Sequence, residues 1–190
     1  MPVPAQLETP RLLLRQWRPG DEVVMGNINS DPEVARYLNR PVGAAATRAF
    51  VAMVHAHWQE HGFGFWAVQS RESDNEGAFL GFIGAGHPSY LPELSARVEI
   101  GWRLARNAWG RGLATEGARA ARDHLFEALE LPELISIIHP ENVRSQAVAR
   151  KLGMSVSERV HNPVIDMEIE VWRISREAWA AEPGRSTRPD

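Results

Sequence analysis

Cysteine is absent from all 190 residues, which rules out disulfides and any thiol nucleophile and fits a reducing compartment. A surplus of one charge is missing too. The 21 basic and 24 acidic residues leave a formal net charge of -3, so neither nucleic acid nor an anionic membrane is an expected partner. No apolar run approaches bilayer-spanning length, and the opening MPVPAQLETP has neither the basic end nor the apolar stretch of a secretory signal. The cytoplasm is the expected location. Gly-Lys-Ser and Gly-Lys-Thr occur nowhere, which removes phosphate-loop nucleotidases. Tyrosine is scarce, with only Tyr37 and Tyr90. The 44% hydrophobic and 24% charged residues that are present suit one globular domain long enough to bury a core.

Local signals divide the chain into alternating elements. Arg11 to Arg18 reads as a first strand, broken by Pro19-Gly20-Asp21, which open a helix ending near Asn29. Asp31-Pro32-Glu33 supplies an N-cap, a first-turn proline and a first-turn acid, so Asp31 to Leu38 is expected to be a short helix. Thr47 to Glu60 reads as a longer helix stopped by Gly62. Gly64 to Ser70, Phe79 to Gly86 and Ala96 to Leu104 follow as successive strands, which predicts an antiparallel meander. A helix then carries Ala114, Gly117, Ala121, Leu125 and Ala128 on one narrow stripe, suited to lying close against a sheet. The apolar strand Leu134 to Ile138 comes next and should run parallel to the strand before that helix. Asn142 to Leu152 forms the following helix, stopped by Gly153, and Met154 to Val160 with Ile165 to Ile174 form a final hairpin. The domain is expected to span 7–180, with a flexible polar tail over 181–190.

The densest signal is Val98 to Glu116, VEIGWRLARNAWGRGLATE, where a strand pattern runs into Gly110 and Gly112 at the opening of a helix. A missing Cβ lets backbone N–H groups approach a phosphate, and the helix adds its positive end. Arg111 could add a charge. A tight strand-to-helix turn with no ligand would use the same glycines. A dinucleotide-binding fold fits poorly, because the third small residue of its fingerprint falls at Thr115 and a long meander precedes the motif. His57-Trp-Gln-Glu-His61 matches the spacing of a zinc-binding helix. A helix C-terminus also favours histidine, no third ligand is apparent, and His55, His87 and His124 have no evident partner, so no metal site is expected.

About thirty residues after the glycines come a second strand and His139-Pro-Glu-Asn-Val-Arg-Ser-Gln-Ala-Val-Ala-Arg-Lys-Leu-Gly-Met154. The succession of strand, small-residue turn, helix, strand, Asn-x-x-Ser and Leu-Gly-Met resembles the GNAT superfamily of acetyl-CoA-dependent N-acetyltransferases. Leu7-Glu-Thr-Pro-Arg-Leu-Leu-Leu-Arg15 and Trp-Gly-x-Gly-x-Ala-Thr-Glu over 109–116 resemble its Rim-type, ribosomal-protein N-terminal acetyltransferase branch. That resemblance implies a mixed α/β (α+β) fold, a mostly antiparallel central sheet with one splayed parallel strand pair and helices on both faces. It also implies acetyl-CoA as co-substrate and an amine acceptor, a protein N-terminus or a small molecule, in a monomer or homodimer.

The resemblance further implies residue roles. Backbone groups of Trp102 and Leu104, with Arg103 between them, would meet the pantetheine arm, and the amides of Gly110, Arg111, Gly112, Leu113, Ala114 and Thr115 would hold the pyrophosphate. Trp109 stands where the superfamily's general motif has Arg or Gln, a departure that matches the Rim-type form. Asn142 is either a cofactor contact or only an N-cap. Glu99 is the candidate general base, or else an ion-paired strand residue beside Arg97 or Arg103. A backbone N–H near Gly101 or Trp102 would meet the oxyanion. The tyrosine that many relatives use to protonate the thiolate aligns with Ala149, and both tyrosines lie elsewhere in the sequence. Ser145, one turn earlier, is then the candidate acid, or else a plain first-turn hydroxyl. The lost tyrosine also keeps open an acetyl-CoA sensor or a catalytically impaired binding domain.

Overall fold

The computed structural model describes residues 5–38, 43–163 and 166–184. Eight strands form one sheet in the order β1-β2-β3-β4-β5-β6-β8-β7. The first two are short, β1 (Leu7–Glu8) and β2 (Leu12–Arg15), so the expected strand from Arg11 to Arg18 is cut back at both ends. Its C-terminal end stops because Arg15 turns inward to a buried ion pair with Asp21, 2.7 Å away, and Asp21 also accepts from the Arg18 N–H. That pairing starts helix α1 (Asp21–Ser30). The next helix, α2 (Pro32–Ala35), has the foreseen Asp31 cap but stops short of Leu38. Helix α3 (Ala44–His61) begins three residues earlier than predicted and ends at Gly62, whose φ of 73° closes it.

Strands β3 (Phe65–Ser70), β4 (Phe79–Gly86) and β5 (Glu99–Leu104) complete the antiparallel meander. Helix α4 (Leu113–Ala128) crosses to β6 (Glu133–Ile138), which is parallel to β5 as expected. Then come α5 (Val143–Lys151), β7 (Ser155–Asn162) and β8 (Met167–Ser175), with β8 inserted between β6 and β7. The predicted start of β8 at Ile165 lies outside the described residues. A last short helix, α6 (Arg176–Ala180), was not foreseen; Ser175 caps it, and Trp179 stacks on Phe126 at 4.9 Å. Glu182, assigned to the tail by sequence, binds the fully buried Arg122 through both carboxylate oxygens.

Helices cover both faces of the sheet. On one, Met25 and Ile28 of α1 and Val54 of α3 pack with Trp17, Ala67 and Phe82. On the other, α4 packs Leu113, Ala118, Ala121, Leu125 and Phe126 against Leu12, Leu14, Ile83 and Ile100. The small-residue stripe is the reason α4 lies so close. A Cβ on Gly117 would come within 2.6 Å of Ile83 Cδ1.

The start of α4 is tied to the β1–β2 turn through Glu116. Its carboxylate accepts from Thr9 Oγ1 at 2.7 Å, Arg11 N–H at 2.9 Å and Arg11 Nε at 2.7 Å. Arg11 also donates to the Arg111 carbonyl at 2.9 Å, so one side chain braces the glycine turn from behind. Burial pushes the Glu116 carboxyl up, but the bonds from Thr9 and Arg11 outweigh it and hold the group below the usual carboxylate range.

A depressed folded-state pKa means that this stabilisation is complete above the unfolded value, about 4.3, and is lost as pH falls through the folded value. Glu116→Gln is expected to cost about 1–2 kcal/mol at pH 7, the figure being reduced for solvent screening because Arg11 is 37% exposed. Urea melts of both proteins at pH 7 and in strong acid check this. A gap of the same size in acid would assign the effect to packing rather than charge.

Candidate active site

Strands β5 and β6 share a single registered pair, Glu99 with Ile135, next to which the Ile135 N–H bonds the Val98 carbonyl at 3.0 Å. Beyond that point they part. The bond from Ala105 N–H to the Leu80 carbonyl fixes which edge of β5 faces β4: in an antiparallel ladder the paired residues alternate, so Gly101 and Arg103 turn their backbone groups to β4. Ile100, Trp102 and Leu104 then present theirs to the opening side. Of the two amides foreseen for an oxyanion, Trp102 N–H faces the gap, and Gly101 N–H belongs to the sheet. The Leu104 carbonyl, expected to be free, accepts from the Trp109 indole N–H at 2.8 Å. Trp109 thereby pins the loop between β5 and the glycine turn.

A cavity of about 760 Å³ occupies the gap and extends to the α1–α3 face of the sheet. At one end Gly110 and Gly112 both adopt left-handed backbone, with φ of 74° and 81°. Gly112 is the N-cap of α4 and has no side chain with which to cap it, and the first helical bond is Glu116 N–H to the Gly112 carbonyl. The amides of Leu113, Ala114 and Thr115 therefore open toward the cavity that these residues line. Arg111 is different. Its side chain does not line the cavity and pairs with Glu72 at 2.7 Å.

Helix α5 forms the opposite wall. Asn142 and Ser145 both line the cavity, and Asn142 Oδ1 caps the helix by accepting from Ser145 N–H at 3.1 Å. The N-cap role is thus real for Asn142. Ala149 is fully buried in the core and does not line the cavity, so the tyrosine position of the resemblance is not a cavity position in this chain.

Toward the α1–α3 face the cavity meets Glu99, Arg103, Phe65 and Phe82. Tyr90 donates to Glu99 Oε2 at 3.1 Å, and both tyrosines line the cavity, Tyr37 packing its ring 4.9 Å from that of His139. Sequence spacing gave no hint of this. Arg97, one of the expected neutralising partners of Glu99, turns to Glu133 and Glu158, and Arg103 donates to Asn29 Oδ1 at 2.9 Å. His87, without a partner in sequence, sits in ring contact with His57 and His61. Burial, with the His61 and His87 rings beside it, pushes the His57 imidazole below the usual histidine range against an opposing bond to the Phe63 carbonyl. Among the described residues, no helix is long and apolar enough to cross a membrane.

Known proteins agree with this geometry. Residues 11–155 match the acetyltransferase (GNAT) domain family. The chain is 30% identical to a Bacillus licheniformis protein named uncharacterized N-acetyltransferase p20, over 77% of this chain and 80% of that one. It is similar to the crystal structure of an acetyltransferase from Agrobacterium tumefaciens, with TM-score 0.76, 30% identity and coverage of 89% and 93%. The ribosomal α-N-protein acetyltransferase RimL, solved with coenzyme A, shares the fold at 14% identity and TM-score 0.70, over 94% of this chain and 99% of that one. The parted strands, the glycine turn and the match over most of its length make this chain a member of the GNAT acetyltransferase family, whose enzymes transfer an acetyl group from acetyl-CoA to an amine.

Proposed function

We propose that this enzyme acetylates a primary amine, a protein N-terminal α-amine or a small-molecule amine, by direct attack within a ternary complex in the cytoplasm. One observation carries the reading: a single cavity joins the backbone amides of the glycine turn to the Glu99–Tyr90 pair on the other face of the sheet. Acetyl-CoA would enter over α4 and α5, with its pyrophosphate on the amides of Gly110 to Thr115. The acceptor would enter past Val34, Phe50 and Met53, which line the α1–α3 side. The Rim-type form Trp-Gly-x-Gly-x-Ala-Thr-Glu favours a protein N-terminus or a small amine over a histone lysine.

Each residue has one task. Glu99 takes the proton from the ammonium form of the acceptor, directly or through water, so that the nitrogen lone pair is free to attack. Tyr90 orients Glu99 by donating to its Oε2 at 3.1 Å. The Trp102 N–H receives the thioester carbonyl oxygen as charge gathers there. As the new C–N bond forms and the C–S bond breaks, the Ser145 hydroxyl gives its proton to the departing sulfur and regains one from solvent. The acetylated nitrogen sheds its second proton to water.

Two tests separate binding from chemistry. Gly112→Val forces a β-branched residue into left-handed backbone, at a cost of about 1–3 kcal/mol, and against Arg11, which braces the turn, so the amides offered to a phosphate shift. Loss of acetyl-CoA binding by calorimetry, with circular dichroism unchanged, is the expected result; a folded variant of unaltered affinity removes the cradle.

Ser145→Ala and Glu99→Gln should instead leave acetyl-CoA affinity intact and reduce turnover. General acid or base catalysis contributes about 10²–10⁴-fold, and Ser145→Ala should sit near the lower end because water can substitute. Part of the Glu99→Gln loss should return as rising pH deprotonates the acceptor amine. Coenzyme A release with a panel of peptide N-termini, polyamines and aminoglycosides reads both variants. Wild-type turnover in either, with chemistry rate-limiting, removes that residue from the mechanism.

A further inference from the structure

His57 and His61 stand one turn apart at the end of α3, and His87 directly follows β4. One ligand-capable atom from each ring lies within 4.8 Å of the other two. The ring centroids are 4.4 Å apart for His57 and His61, 4.9 Å for His61 and His87, and 5.5 Å for His57 and His87. The remote nitrogens of two rings are already secured. His57 Nδ1 is 2.8 Å from the Phe63 carbonyl oxygen, and His87 Nδ1 is 3.0 Å from that of Arg97. A carbonyl can only accept, so each Nδ1 carries the proton and each Nε2 offers a lone pair. The His57 Nε2 lone pair is in use, accepting the His87 backbone N–H at 3.2 Å.

We propose that His57, His61 and His87 bind a divalent transition-metal ion, zinc by choice of donors, fastening the end of α3 to the end of β4. Three imidazoles without a carboxylate cage suit Zn²⁺, Cu²⁺ or Ni²⁺ and are wrong for Mg²⁺ or Ca²⁺. A backbone carbonyl holding the far ring nitrogen is the support that orients histidines on a metal. Zn–N bonds of about 2.0–2.1 Å set tetrahedral ligand nitrogens roughly 3.4 Å apart. The cluster therefore contracts slightly on binding, and His61, the most exposed of the three rings, is free to swing inward. The ion takes the place of the 3.2 Å bond from His87 N–H at His57 Nε2. Water, or the Glu60 carboxylate 3.7 Å from His61 Nε2, completes the tetrahedron.

Position gives the site a consequence. Gly86 and His87 line the cavity on the side where Glu99 and Tyr90 meet, so an ion here fixes that wall of the acceptor pocket to α3. It acts on the shape of the pocket and takes no part in proton transfer. The test does not depend on turnover, so it stands or falls apart from the proposed reaction.

Tag-free protein, stripped with chelator, is titrated with Zn²⁺ by calorimetry and with Co²⁺ as a visible probe of coordination. One ion per chain is expected, with a tetrahedral Co²⁺ spectrum erased by Zn²⁺ and a melting temperature that rises with free Zn²⁺. His61→Ala, at an exposed helix end, should keep the circular dichroism of the wild type and weaken binding by more than the roughly 10–100-fold that disturbing a ligand's outer partner costs. His87→Ala should do the same. Absence of saturable binding up to millimolar metal, or wild-type affinity in both variants, would overturn the site.

Discussion

The parting of β5 from β6 is the constraint on which the rest depends. Each strand is fully paired on its outer edge, β5 along six positions of β4 and β6 along six of β8. Only Glu99 and Ile135 register across the inner edge. Sheet twist rotates neighbouring strands, and with no further bonds to hold them the two inner edges diverge. An unsatisfied backbone group in a closed setting costs about 1–3 kcal/mol, so an edge of this kind needs water or a ligand with amides of its own. The defect in the sheet is thus a preformed strip of hydrogen-bonding partners for an extended chain.

The pleat of β5 extends that strip to the chemistry. Its side chains alternate, so Ile100 and Leu104 enter the core under α4, and Glu99, Gly101 and Arg103 face α1 and α3. In the proposed reaction Trp102 would contribute its backbone to one side of the transfer, and Glu99, three residues away, a carboxylate to the other. One strand would then serve both substrates, with their separation set by covalent geometry rather than by a movable loop. Trp109 and Arg11 keep the far end in place, the first by bonding the Leu104 carbonyl and the second by bonding the Arg111 carbonyl.

Most of this frame was legible in the sequence because its signals are local. Asp31 capping α2, Gly62 closing α3, the strand pattern that runs into the glycine turn and the stripe on α4 all act within a few residues. The glycine turn and the family were legible for the same reason. What escaped depends on contacts distant in the chain. Tyr90 reaches Glu99 only because the loop after β4 folds back, His87 meets His57 across thirty residues, and Glu182 joins Arg122 across sixty. No periodicity announces such pairs. The early end of β2 at Arg15 also lay outside any propensity, since it follows from a buried charge pairing with Asp21.

In the proposed reaction, the phase of α5 decides which residue can serve the leaving sulfur. Asn142, Ser145, Val148 and Lys151 recur at intervals of three and line the cavity, whereas Gln146 and Ala149 are buried and Leu152 enters the core. A helix turns 100° per residue, so 148 and 149 flank 145 on either side, and the rim of the cavity runs between 145 and the buried 149. Ala149 is fully buried among core residues, so a tyrosine there would have to displace its neighbours, and small alanine is the residue that this contact accepts. The alanine at 149 and the tight seat of α5 are then one feature. On the face that remains, Val148 has no proton to give and Lys151 lies at the helix end. Ser145 is the hydroxyl one turn from the cap, held by the Asn142 bond to its own amide.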